Sequence, residues 1–515
     1  MSAVDIRALL AAYGEALAID TAPDALRFYS QDVFAQGAAL AAVIRPRTVD
    51  ALAGAVGALT AAGVCVIARG GGLSYSDAFL ATDAGSVLID TAALDRIVEI
   101  NALDRYVTVE CGVTWAQLDA ALAKHGLRTP YWGPLSGLRA TVGGALSQGS
   151  VFLGSAQYGA IGDSVLALDL ITADGELLQT GSAAAQATAP FTRWFGPDLT
   201  GAFIGDAGTL AIKARATLRL LPRPTQLDWL SFEYANANAL LAAMAEVSRQ
   251  ALASECVGFD PTLAAMRMQR AGVLGDARAL GEVVRKSGVL EGLKVVAAGR
   301  RFLDVTRYSL HLVIEADSLA ALTSRVAGAR KAAAAGAQEI ENTIPKVLRA
   351  QPFTAPNAIL GPAGERWVPV HGIVPHSAAP AAQAALDQLF AAERAVLDRF
   401  DIKIGCLYTV LAQQGTLIEP VFYWPDSHTE YHQRVVDPGF RARAGEPADN
   451  PEARAEVARL KRAVADSLRA HGAVHFQLGK FYRWREGRNP TELRLHDALK
   501  HALDPHRRLN PGALV

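Results

Sequence analysis

Three glycine-dense turns, each joined to an apolar run, constrain this chain more than any other feature in it. Arg69-Gly70-Gly71-Gly72-Leu73-Ser74-Tyr75 follows the apolar run 64–68. Thr141-Val142-Gly143-Gly144-Ala145-Leu146-Ser147-Gln148-Gly149 is the second, and Gly205-Asp206-Ala207-Gly208 leads through Ile212 and Lys213 into another strand-like run. Without Cβ atoms, backbone N–H groups come close to an anion and line up as a concave nest. The first turn is not a Walker A loop, because no Gly-Lys-Ser/Thr follows, and no GxGxxG opens a helix as the dinucleotide fingerprint requires. Small residues in the second turn let backbone pack edge-on against a flat ring, with Ser147 and main-chain N–H groups bonding its polar edge. Tyr158-Gly159-Ala160-Ile161-Gly162-Asp163 is a further glycine-spaced stretch. Taken singly, each is also readable as a tight turn and nothing more.

The rest of the chain divides around these turns. At 515 residues it is long enough for two or more domains. Residues 1–40 open with apolar positions at helical spacing, an amphipathic helical segment without the basic n-region of a signal peptide. Residues 41–224 are dense in short apolar runs, with strands expected at 87–90, 97–100 and 107–111. A helix is expected between the capping-box spacing Thr114 to Gln117 and the stop at Gly126. Asp174-Gly175 marks a hairpin between 165–172 and 176–180, and Pro222 and Pro224 close the region. Residues 225–465 shift to alanine-rich helical patterns, such as 238–252 and 380–400, with strand-like runs such as 308–314 between them. That mixture predicts a separate α+β domain with an antiparallel sheet. Residues 437–451 read as a surface loop, and 466–515 as a closing segment.

With 50 basic and 51 acidic side chains, no net field favours nucleic acid or acidic membranes. Cys65, Cys111, Cys256 and Cys406 are too scattered for a zinc knuckle or a disulfide framework, which fits a reducing cytoplasm. No stretch reaches the roughly 18 apolar residues of a membrane span.

The order and spacing of the glycine turns, together with Asn510-Pro511-Gly512, resemble the FAD-binding oxidoreductases of the vanillyl-alcohol-oxidase type, also called the PCMH type. The resemblance covers residues 41–224 and 466–515. It implies an α+β fold: a PCMH-type FAD-binding domain of two small α/β subdomains, plus an α+β cap domain over the isoalloxazine. It further implies that Arg69, Gly70, Gly71, Gly72, Leu73, Ser74 and Tyr75 wrap the FAD pyrophosphate. Thr141, Val142, Gly143, Gly144, Ser147, Gly159 and Asp163 would line the flavin and its phosphates, Ile212 would lie by the adenine, and Asn510 belongs to the returning tail. Where family members carry a histidine bonded covalently to flavin, this chain has Leu73; where others have a cysteine, it has Leu138-Arg139-Ala140; and Thr416 stands where vanillyl alcohol oxidase has its cap histidine. Non-covalent FAD is the expectation, with His371 or His376 the remaining alternative for a linkage.

Hydride transfer to flavin N5 needs a C–H bond held against the ring and a group that takes the proton. Residues 367–376 carry His371 and His376, which at strand spacing face opposite sides, so at most one reaches a bound substrate. His371 is the candidate base. Glu419 is an acid inside the apolar run 416–424, where a buried carboxylate needs a reason. Arg483 is suited to fork a carboxylate, or with Tyr482 to stabilise a phenolate. Tyr158 is a further lining residue. Two substrates remain open: a 2-hydroxy acid of the D-lactate or glycolate type, which is favoured, or a 4-hydroxybenzyl alcohol or alkylphenol. The His-Gly-Asp-Gly-Asn-type metal signature of the hydroxy-acid branch is missing, so no metal is carried over. Oxygen, a quinone or a cytochrome would take the electrons, and a homo-oligomer is compatible with all of this. The remote alternative is a flavin-binding protein without turnover.

Overall fold

The computed structural model describes residues 4–270 and 306–515, so part of the 225–465 region lies outside the described residues. Two compact units emerge, and neither is continuous in sequence. The first comprises Met1–Ser150, Ile161–Arg223 and Phe476–Val515; the second comprises Val151–Ala160 and Pro224–His475.

The first unit holds two main sheets. One is formed by β1 (Leu17–Asp20), β2 (Leu40–Pro46), β3 (Val66–Arg69) and β4 (Ser86–Asp90) in the order β1-β2-β4-β3, with β2 and β3 parallel to β4. Parallel pairing requires a crossover. The helix Val49–Ala61 supplies one, capped by the Thr48 hydroxyl on Ala51 N and packing Leu52, Val56 and Leu59 against Ile44, Val87 and Ile89. The other is an antiparallel sheet of β5 (Ile97–Asn101), β6 (Tyr106–Glu110), β8 (Val165–Ile171), β9 (Leu177–Gln179) and β10 (Ile212–Arg219), in the order β5-β6-β10-β8-β9. A short pair, β7 (Leu127–Arg128) with β11 (Leu221–Pro222), lies beside it. The β8–β9 turn is the expected Asp174-Gly175, with Gly175 at φ 83°. Thr114 and Gln117 form the capping box of the helix Trp115–Ala123. The opening segment departs from its expectation. Gly14, at φ 49°, interrupts the helical pattern, and residues Leu17–Asp20 pair with β2 as a strand, so no long amphipathic helix forms.

The second unit is built on one antiparallel sheet of β12 (Gln226–Tyr234), β13 (Glu255–Phe259), β14 (Tyr308–Ala316), β15 (Ala337–Ile340), β16 (Arg366–Pro369), β17 (Gly372–Pro375), β18 (Lys403–Leu411) and β19 (Gly415–Trp424). The order is β15-β12-β14-β13-β18-β19-β16, and β17 also pairs β19. One face packs on helices: Gly258 lets Leu240 and Met244 of the helix Ala237–Arg249 approach beside Tyr408. The register puts Ser231, Glu233, Glu255, Ser309, His311, Glu315, Thr409 and Glu419 on the other face. Two expectations are corrected here. Residues 380–400 form two helices, Ala379–Ala392 and Arg394–Arg399, divided at Glu393. Residues 437–451 are not simply loop, because Asp437 caps a helix, Pro438–Ala444, onto Phe440 N.

Candidate cofactor cradle and active site

The cradle begins where β3 ends. Gly72 takes φ 70°, and among the described residues no acceptor takes the backbone N–H of Gly71, Leu73 or Ser74. A Cβ on Gly70 would overlap the Thr141 hydroxyl, and one on Gly71 would overlap the Arg139 carbonyl, so the first two glycine turns touch through backbone. Thr141 caps the helix Val142–Gln148 by accepting from Gly144 N at 3.2 Å, and Val142 is fully buried. At the other end of that helix the third turn attaches: Gly205 N donates to Leu146 O at 2.8 Å and Ala207 N to Ser147 O at 2.9 Å. Asp206 fixes this third turn, accepting from Gly208 N at 2.9 Å while paired with buried Lys213 at 2.5 Å.

Not every side chain expected around the pyrophosphate faces it. The Arg69 guanidinium is buried among the rings of Phe28, Tyr29 and Phe79, 4.7–5.3 Å from their centroids, a cation–π nest inside the unit. The Arg69 charge is therefore engaged inside the unit. Tyr75 is also buried. Ile212 belongs to the hydrophobic cluster with Leu52 and Ala214, and Asp163 lies in the short turn Ile161–Ser164. Asn510 is a clamp: its amide donates to Ala78 O at 2.9 Å and Ala207 O at 2.6 Å, and its carbonyl accepts from Lys480 at 2.7 Å. The segment before it adds Lys480 N and Phe481 N, both donating to Ser76 O. Burial pulls the Lys480 ammonium down to about 8. Tyr482 is buried edge-on against Phe481 at 4.8 Å, whereas Arg483 is half exposed and 3.5 Å from Glu486. The two neighbours thus part company.

In the second unit the candidates separate as well. His371 is fully buried between β16 and β17, and desolvation holds it well below the usual histidine range; its carbonyl accepts from His475 Nδ1 at 2.7 Å. His376 has both ring nitrogens engaged, Nδ1 with Thr416 at 2.8 Å and Nε2 with Ser248 at 3.0 Å. Tyr158 ends the short helix Ser155–Tyr158, and Gly159 follows at φ 84°. Glu419 differs from all of these. It lies on β19 opposite Leu407, forms no ion pair or hydrogen bond through its carboxylate among the described residues, and is raised by desolvation to about 7 despite the nearby Arg267. The other acids of that face are paired, Glu255 and Glu315 with Arg349 and Glu233 with Arg307. Beside Glu419's row, Phe259 carries the Arg267 guanidinium at 4.6 Å on its ring and touches the His311 ring at 5.2 Å. His311 is held between Ser231 and Ser309, 3.0 Å on each side, and burial lowers it to about 3. Sequence reading passed over Arg267 and His311; the polar alternation Ser309, His311 within an apolar strand is the signal for the second.

The pattern of backbone donors without acceptors, lined by glycines, suits a diphosphate, and residues 40–181 match the family model described as an FAD binding domain. Residues 40–181 thus carry an FAD-binding domain. The chain is similar to the glycolate oxidase subunit GlcD of Bacillus subtilis, 30% identical over 206 residues, 40% of this chain and 42% of that one. The D-lactate dehydrogenase of Archaeoglobus fulgidus is 30% identical over 188 residues, 36% of this chain and 40% of its own length. The chain therefore spans less than half of the curated relatives it matches. In fold it is similar to the 4-ethylphenol oxidase of Gulosibacter chungangensis, with a TM-score of 0.70 at 16% identity, covering 98% of this chain and 96% of the other.

Proposed function

We propose that this protein is an FAD-dependent oxidoreductase that oxidises the CH–OH carbon of a 2-hydroxy acid, with Glu419 taking the hydroxyl proton. The observation that carries the reading is the Glu419 carboxyl: half-buried in an otherwise buried strand, without an ion-pair partner among the described residues and raised to about 7. A base works best with a pKa near the working pH, and pairing with an arginine would have ruined that match. Bound FAD supplies a hydride acceptor at N5. Arg267, on the same face, offers a planar cation for the substrate carboxylate. Arg483 is less suited to that grip, since Glu486 already occupies its side chain. His371 and His311 are both held neutral by burial and serve better as fixed dipoles than as bases. The glycolate and D-lactate names of the relatives point to the same substrate class.

FAD is held non-covalently in this reading, because Leu73 and residues 138–140 offer neither histidine nor cysteine and His376 is tied to Thr416 and Ser248. The deciding experiment is anaerobic. Glycolate, D-lactate and longer 2-hydroxy acids are mixed with the yellow protein beside 4-alkylphenols, and the visible absorption of the flavin is followed. Bleaching by a hydroxy acid is expected. Bleaching by phenols alone would overturn the substrate class, and none by either would overturn the reading as a whole.

A further inference from the structure

The Gln148 carboxamide is left over in the hydrogen bonding of the FAD-binding domain. Its Oε1 is buried and accepts nothing among the described residues, an unfavourable state unless a ligand supplies a donor. Its position is specific. Gln148 is the last residue of the helix Val142–Gln148, whose first turn meets Gly70 through Thr141 and whose last turn receives Gly205 N and Ala207 N. The tail reaches the same place, since Gln477 N donates to the Gln148 main-chain oxygen at 2.6 Å. All three glycine turns and the tail thus converge on one helix, in which Ser147 and Gln148 are the polar side chains.

A carboxamide combines an acceptor oxygen and a donor nitrogen in one plane. The pyrimidine ring of oxidised flavin presents the complementary edge, one N–H at N3 flanked by two carbonyls. Turning the amide over exchanges which carbonyl is used and leaves the match intact, so the assignment of oxygen and nitrogen does not matter. We infer that Gln148 binds the N3–H and carbonyl edge of the isoalloxazine through its carboxamide. The inference rests on the FAD-binding domain and is independent of the substrate.

Two holoprotein variants test it, read without turnover. Gln148→Glu keeps the shape but sets a carboxylate against a ring that gains electron density on reduction. Its two-electron midpoint potential should fall by about 30 mV, a tenfold shift. Gln148→Leu removes both bonds and should release FAD roughly tenfold faster, with displaced visible absorption bands. Loss of flavin from a variant whose circular dichroism and melting temperature match the wild type also supports the inference. Wild-type potential, absorption and flavin content in Gln148→Glu would overturn it. So would unfolding of Gln148→Leu beside an unchanged Gln148→Glu, which would make the side chain a packing residue.

Discussion

A carboxyl raised to about 7 is half ionised near neutral pH, and that places a measurable handle on Glu419. If the ionised form takes the substrate proton, the rate of flavin reduction rises with pH through about 7 and levels above it. Glu419→Gln should remove this limb and cost roughly 10²–10⁴-fold, checked by stopped-flow reduction across pH. Stability moves the opposite way. The folded carboxyl binds its proton more tightly than the unfolded one, so stability falls as pH rises from the unfolded value toward about 7. Glu419→Gln should therefore be the more stable protein at pH 8, by on the order of 1–3 kcal/mol, and equal to the wild type near pH 4. Single residues were unevenly legible. Glu419 stands out in sequence because an acid within an apolar strand run is anomalous. Arg69 does not reveal its direction, since the rings that take its guanidinium, Phe28, Tyr29 and Phe79, come from segments whose packing no local pattern specifies.

At the scale of elements, glycine spacing and turn chemistry are readable because they obey local rules. The β8–β9 hairpin at Asp174-Gly175, the capping box at Thr114 and the strand before Arg69 all form where expected. The opening segment fails the same reading because β2 offers Leu17–Asp20 a ladder, and tertiary pairing outweighs a helical pattern broken at Gly14. The first glycine turn carries a prediction at this scale. Gly71→Val would drive a side chain into the Arg139 carbonyl and prise two turns apart, so the variant should purify without flavin, as read from the ratio of 450 nm to protein absorption, a standard flavin marker of roughly this wavelength. Full flavin content would show that the cradle lies elsewhere.

For the whole molecule, the decisive feature is that the first unit is assembled from three separated segments. Leu509 is a fully buried member of its core cluster and bridges Val66, while Lys500 donates to Thr209 O at 2.6 Å and pairs with Asp504. Ending the chain after His475 should therefore yield colourless protein, and a yellow product with full flavin content would refute the dependence. Such interleaving has no signature in composition or periodicity; only the resemblance of the tail to known proteins hinted at it. It also sets a schedule for biosynthesis. Val66 waits for its partner Leu509 while the residues between them are made, which at about 5–20 residues per second leaves this pairing open for tens of seconds. During that interval the outer edge of β3 presents unpaired backbone groups to any other strand it meets, the situation in which sheet edges favour aggregation.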